Sequence, residues 1–533
     1  MNRTATIIVP RHHVGVRADT VLPLVPIVVT AVATVAAVVV SNGNLAASVA
    51  PVLLGAALWF VCVAPLRVTL GLVMFAALAV DRPGDADARW ASPLVTVGGL
   101  LFHNLNHVIA IDALRFSGVF ALLAVLLVVR GYRRLTGRLR DTAGSLLPAA
   151  PMPWAATAAV VTIAAAVGFG VLRGGDIQMA KVQVQAVLQL LAVAYLFSVS
   201  LRGSRDYRWL ATLIVTAAGI KALMALWVRA VLPSAFPDQW GVMRELEYAT
   251  NHGDSMLFAC ASAVLLGPLF HRPSRRQVTS CLLVMPLIVA GLVANDRRIA
   301  WVQVGLVIAA FLVMNPGSAF TRRVARTAVL LSPLLLVYVG VGWSSPSRLF
   351  APVGFVRNLV QAERSDGSLD RSTLFRDVEN FNLVHTFLGN PVLGTGFGHP
   401  FTMEVKGDAL AEFKEYGYLP HNSLLGLWSF TGFVGVTGIL GTLVVALLLA
   451  VQAHARAVSS DHAIAAAAVV GCLFSYVIHL WADIGFTEAP TIFLVGLAMA
   501  IAGQAAAACS GRPSGMVSAE PHSVPYGISR RPT

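Results

Sequence analysis

The 533-residue chain is 57% hydrophobic and 12% charged, with a mean hydropathy of +0.74, values that exclude a soluble globular domain. Its formal net charge of +13 would suit nucleic acid only if the basic residues shared one face or stripe, and instead they are divided among separate short loops.

Residues 1–20 form an N-terminal segment carrying Arg3, Arg11 and Arg17. No clear small-residue cleavage site follows the first apolar run, which therefore reads as a retained signal-anchor. Crossing a bilayer takes roughly 20 apolar residues per helix. Such runs recur at 21–40, 46–64, 66–80, 113–130, 152–171, 183–199, 209–231, 255–270, 278–294, 299–314, 327–343, 431–452, 463–483 and 489–507. The expected fold is all-α, a polytopic helical membrane protein with about 12–14 transmembrane helices. The run 66–80 is short enough to be tilted or interfacial. Segment 94–112 is broken by His103, Asn104, Asn106 and His107 and is expected to be re-entrant or interfacial. The spans group into an N-terminal region (21–208), a central region (209–343) and a C-terminal region (422–507). A large loop (344–421) separates the last two, and a Pro/Ser/Gly/Arg-rich tail (508–533) is expected to be disordered.

Loop charge sets the expected orientation. Arg130, Arg133, Arg134, Arg138 and Arg140 occupy one short loop; Arg202, Arg205 and Arg208, then Arg272, Arg275 and Arg276, then Arg322, Arg323 and Arg326 occupy three more on the same side. The opposite side receives the acidic loop Asp81–Arg89, the mixed loop 232–254 and the long loop. From Trp343 to His421 that loop holds seven Lys/Arg against nine Asp/Glu. Basic loops stay cytoplasmic, so both termini are expected in the cytoplasm and the long loop outside. Cys62, Cys260, Cys281, Cys472 and Cys509 lie in spans or near the tail, with no CxxC pair and no disulfide framework.

Candidate chemistry concentrates in the long loop. Leu374, Val378, Phe381, Val384 and Leu388 recur at spacings of three or four, predicting an amphipathic helix over 372–388 that ends at Asn390-Pro391. Gly394, Gly396 and Gly398 follow; they either open backbone N–H groups to an anion or simply supply a flexible turn. His421-Asn422 stands where the chain re-enters the membrane. The histidine suits general-base work near neutral pH, or the pair caps a helix. Arg371 and Arg376 on the loop helix, and Arg297 and Arg298 in the turn Asp296-Arg297-Arg298, run against the charge bias of their side. Guanidinium forks match phosphate oxygens; the competing reading is ion pairing with Asp296, Asp370, Asp377 or Glu379. Lys221 falls mid-span, where an ammonium costs on the order of ~3 kcal/mol, so an interior, paired or functional position is expected. His479 and Asp483, spaced i,i+4, are expected to pair. His103 and His107 share a helical face but fall short of a metal site, and no cofactor motif is present.

From Trp209 to Gln452 the chain resembles the O-antigen ligase / O-antigen polymerase superfamily of bacterial membrane glycosyltransferases. The resemblance rests on the Arg-bearing turn (Asp296-Arg297-Arg298, where the family has Ser-Arg-Gly) and on a loop helix beginning with Arg. It rests also on Asn390-Pro391-x-x-Gly394-x-Gly396, and on His421-Asn422-Ser423 followed by Gly432-x-x-Gly435. Its spacing selects Arg376 over Arg371 as the loop arginine and leaves open whether Arg297 or Arg298 corresponds. The resemblance implies a GT-C-like, metal-independent, inverting transferase in the bacterial inner membrane. Its donor would be a glycan on polyprenyl diphosphate and its acceptor a lipid or glycan hydroxyl on the outer face. His421 would be the base, and the arginines would hold the diphosphate. The competing class is a transporter or flippase of lipid-linked sugars, which would place charges along a path through the membrane.

Overall fold

The computed structural model describes residues 24–40, 45–81, 94–103, 116–135, 148–235, 249–271, 273–295, 297–345, 371–406, 415–457, 459–483, 485, 486 and 488–510, with isolated positions between 347 and 357. Sixteen α-helices and no strand occur among them. They are α1 (Leu24–Val40), α2 (Leu45–Val63), α3 (Leu66–Ala79), α4 (Val95–Phe102), α5 (Gly118–Leu135), α6 (Pro151–Leu172), α7 (Ile177–Ser200), α8 (Ser204–Ala235), α9 (His252–Leu266), α10 (Arg275–Asn295), α11 (Arg298–Met314), α12 (Ala319–Gly342), α13 (Arg371–Gly389), α14 (Ser423–Ala455), α15 (Ser460–Ala482) and α16 (Ala489–Ser510).

Nine of the described helices are long and apolar enough to cross a membrane, and four shorter apolar helices accompany them. The chain is a multi-pass helical membrane protein. Each segment read as a span coincides with a helix over its described residues; the span read at 113–130 sits five residues later, as α5, and carries Arg130, Arg133 and Arg134 in its last turns. Of the interrupted segment 94–112, the structure describes α4 and His103; residues 104–112, His107 among them, lie outside the described residues, as do Asp296 and the tail from 511.

Contacts divide the chain into two units, Met1–Thr69 and Leu70–Thr533. In the first, α1 packs on α2, with Gly55 seated against Thr30. In the second, α7, α9, α15 and α16 form the buried centre, and α6, α8, α10, α11 and α14 surround it. Close approach comes from small residues, as membrane helices require: Gly291 lies against Ala222, and Gly438 against Thr162. By contrast α12 presents Leu330, Leu334, Leu336 and Val337 outward, and none of its membrane-spanning window is buried within the protein.

The helix that positions the site is α14, and it is broken. Gly432 adopts φ 60° and ψ −166°, which interrupts the hydrogen-bond ladder. Unpaired backbone groups at membrane depth are costly, and here the loop 391–396 satisfies them. Phe433 N–H donates to the Pro391 carbonyl (2.9 Å) and Val434 N–H to that of Val392 (3.1 Å). In return Thr395 and Gly396 donate to the Ser429 and Phe430 carbonyls (2.9 and 2.8 Å). A Cβ on Gly432 would enter the Val392 carbonyl, and one on Gly394 the backbone of Phe430. Gly432→Ala combines that clash with a positive φ costing about 1–2 kcal/mol. It is expected to lower folded yield and melting temperature in detergent, as read by size-exclusion after heating. Gly441→Ala, whose Cβ meets nothing within 4 Å, should be silent.

Candidate functional site

Helix α13 turns its polar side inward. Leu374, Phe381, Val384 and Leu388 are exposed, while Glu379, Asn382 and Thr386, at spacings of three and four, are buried. The amphipathic helix expected over 372–388 is present, with its apolar stripe facing away from the protein and its polar stripe packed on it. Asn382 and Thr386 bind the chain that follows: Asn382 exchanges hydrogen bonds with Val405, and the Thr386 hydroxyl accepts from Thr402 N–H.

Glu379 lies at the centre of the inward stripe and is 1% exposed. One carboxylate oxygen stands 3.0 Å from His421 Nδ1 and the other accepts from the Asn422 backbone N–H (3.1 Å). Tyr416 is also hydrogen-bonded to Glu379; burial first, and then that carboxylate, push the phenol above its usual range, so it remains a protonated donor. With a carboxylate on Nδ1, the histidine carries its proton there and turns the Nε2 lone pair outward. The His421 side chain keeps 35% of its surface exposed. The edge of its ring meets Phe375 at 5.7 Å between centroids and 88°. Asn422 caps α14, accepting from Leu425 N–H (3.1 Å), and donates to Asn380 (2.9 Å). A base and a cap are therefore both present at this junction, on adjacent residues.

A second polar cluster adjoins the first. Ser423 donates to the Asp483 carbonyl (3.1 Å) and accepts from Gly485 N–H (2.9 Å). The Asp483 carboxylate pairs with His252 Nδ1 at 2.5 Å. His252 in turn contacts Arg297, whose guanidinium also donates twice to the Thr250 carbonyl (3.1 and 3.0 Å). Asp483 thus meets His252 rather than forming the pair expected with His479. Both ring nitrogens of His479 are buried without a hydrogen-bond partner among the described residues.

The four arginines fall into different settings. Arg297 is buried and committed to Thr250 and His252; Arg298 opens α11 and is exposed. Arg376 is half-buried, one turn before Glu379 and so on the same side of α13. It has no hydrogen-bond or ion-pair partner among the described residues, and Glu379 meets His421 instead of serving as the ion-pair partner considered for it. Arg371 is the first residue of α13, and its side chain lies outside the described residues.

The glycine run departs from the anion-binding expectation. Gly394, Gly396 and Gly398 have φ of 68°, 87° and 95°, but their N–H groups are already used. Gly394 donates to Asn390 O (2.8 Å), Gly396 to Phe430 O, and Gly398 to Gln183 Oε1 (2.6 Å). The run is a clamp that fastens the loop to α6, α7 and α14. Gln183 completes it by donating to the His399 and Tyr418 carbonyls (3.3 and 3.1 Å).

Lys221 is 1% exposed and sits between the carboxylates of Asp81 and Asp254. Two carboxylates around one ammonium make a compensated buried cluster rather than an open binding group.

Glu379 is the residue whose role the sequence reading missed. Its signal was the i, i+3, i+7 polar stripe of Glu379, Asn382 and Thr386 opposite the apolar one. No family model and no curated protein matches this chain.

Proposed function

We propose that the chain is a membrane glycosyltransferase that moves a glycan from polyprenyl diphosphate to an acceptor hydroxyl. The observation that carries this reading is the buried Glu379 carboxylate anchoring His421 Nδ1 while Nε2 stays open. In the proposed step the acceptor O–H gives its proton to His421 Nε2, and the oxygen forms a bond to the anomeric carbon. The bond from that carbon to the phosphate oxygen breaks, and the electron pair leaves with the diphosphate. Arg376, on the same side of α13 as Glu379 and without a hydrogen-bond or ion-pair partner among the described residues, stabilises the leaving charge. Arg297 holds the neighbouring cluster in shape. In-line attack predicts inversion, without a metal ion.

The rest of the reading follows from loop charge and resemblance. The membrane is the bacterial inner membrane, the termini are cytoplasmic, and the loop with its site is periplasmic or extracellular. Polymerisation of repeat units and ligation of finished glycan are both compatible with these roles.

Glu379→Gln keeps the volume but loses the charge that orients the imidazole. Transfer is expected to fall about 10–100-fold, the usual effect of losing such an orienting partner, with substrate KM little changed in steady-state assays of reconstituted protein. The decisive experiment is mass spectrometry of lipid-linked glycans in cells lacking the protein. Polyprenyl-diphosphate glycan should accumulate and be cleared by wild type but not by His421→Ala. Single repeat units would mark a polymerase and long chains a ligase. Full rescue by the histidine variant would favour the transporter reading.

A further inference from the structure

An apolar groove of about 570 Å³ lies between α8, α9, α10, α15 and α16, far from His421. Asp461 at its rim and Asp483 beside the candidate site occupy opposite ends of α15, roughly 33 Å apart along the helix. Beyond the groove, α8 and α10 approach closely where Gly291 abuts Ala222. Toward the basic ends of these helices, Ala211 and Val215 of α8, Ser280 and Val284 of α10 and Ala468 of α15 line the groove. The lining is mainly apolar, and its charged residues are Arg208, Arg276 and Asp461, two cations against one anion. Arg208 makes one loose pair with Asp461, at 3.6 Å and largely exposed, and Arg276 has no partner among the described residues.

We propose that this groove is a binding site for an anionic membrane phospholipid, one acyl chain lying between α8 and α15 and the phosphate meeting Arg208 and Arg276. An aliphatic slot of this volume falls within the ordinary range of ligand sites. Basic pockets between membrane helices recognise anionic headgroups by this same complementarity. From Tyr207 to Thr216 the α8 wall runs about 13 Å, deep enough for a chain to enter toward the middle of the bundle. The polyprenyl chain of the proposed donor is a poor occupant, because its diphosphate would then sit at the wrong end of α15. The site is independent of the transferase reading.

The test is native mass spectrometry of the full chain, purified and released from micelles doped with equimolar phosphatidylglycerol and phosphatidylcholine of matched chains. Wild type is expected to retain one phosphatidylglycerol at about fivefold over phosphatidylcholine. Ala468→Phe, filling the groove, should reduce the bound lipid several-fold. Arg208→Gln with Arg276→Gln, at the exposed rim and harmless to folding, should bring the ratio near one. Equal retention of both lipids by wild type would overturn the proposal. So would unchanged phosphatidylglycerol retention in both variants, or retention of a polyprenyl phosphate in place of phospholipid.

Discussion

Replacing His421 with Ala is expected to cut glycan transfer by roughly 10²–10⁴-fold, the range over which a positioned general base acts, while leaving folded protein at wild-type abundance. The two effects separate because adjacent residues divide the labour. The imidazole is partly exposed and, among the described residues, bonded only through Nδ1, whereas Asn422 supplies the cap to α14. Removing the ring therefore takes away a proton acceptor without uncapping the helix. Asn422→Ala should show the converse: stability lower by about 1 kcal/mol and transfer reduced only in proportion to folded protein. Quantifying product per mole of folded enzyme, after size-exclusion, distinguishes them. Wild-type turnover by the alanine variant would remove His421 from the mechanism.

Arg376→Lys is expected to lower transfer by about 10–100-fold, although the charge is kept. A guanidinium can place two N–H groups on two phosphate oxygens, and an ammonium on a flexible stem cannot. Losing one charge-assisted hydrogen bond costs about 1.5–3 kcal/mol. Arg298→Lys supplies the control: Arg298 is exposed at the start of α11, and its substitution should change turnover less than about twofold. Equal losses at both positions, measured with saturating donor, would mean that positive charge acts non-specifically and that Arg376 has no specific contact.

Helices were legible from hydropathy because a bilayer forces every backbone group to pair within its own segment. That constraint acts locally, so runs such as 463–483 and 489–507 read directly as α15 and α16. The amphipathic pattern of α13 was equally visible, since the period of 3.6 is a property of neighbours in sequence. What could not be read was which stripe faces the protein. In water the apolar stripe is buried, but beside a bilayer the polar stripe turns in, and Glu379 becomes an interior group. The amides of Gly394, Gly396 and Gly398 were misjudged for a related reason. Their acceptors, Phe430 and Gln183 among them, lie up to 215 residues away, and no spacing rule reaches that far. The partner of Asp483 was hidden likewise: His479 is one turn away in sequence, while His252 arrives from another helix.

The join between loop 391–396 and the broken α14 bears on the site. Residues 423–455 form one continuous apolar stretch of 33 residues, well beyond the roughly 20 that a bilayer accommodates. The part after Gly432 is long enough to span a bilayer alone, and the carbonyls of Ser429 and Phe430 before it are closed by the preceding loop. His421 and the N-cap Asn422 immediately precede that first part, and Glu379 sits on the helix that leads into the loop. In the proposed mechanism the His421–Glu379 pair therefore depends on the docking of this loop, which ties the site to the same backbone hydrogen bonds that close the break in α14.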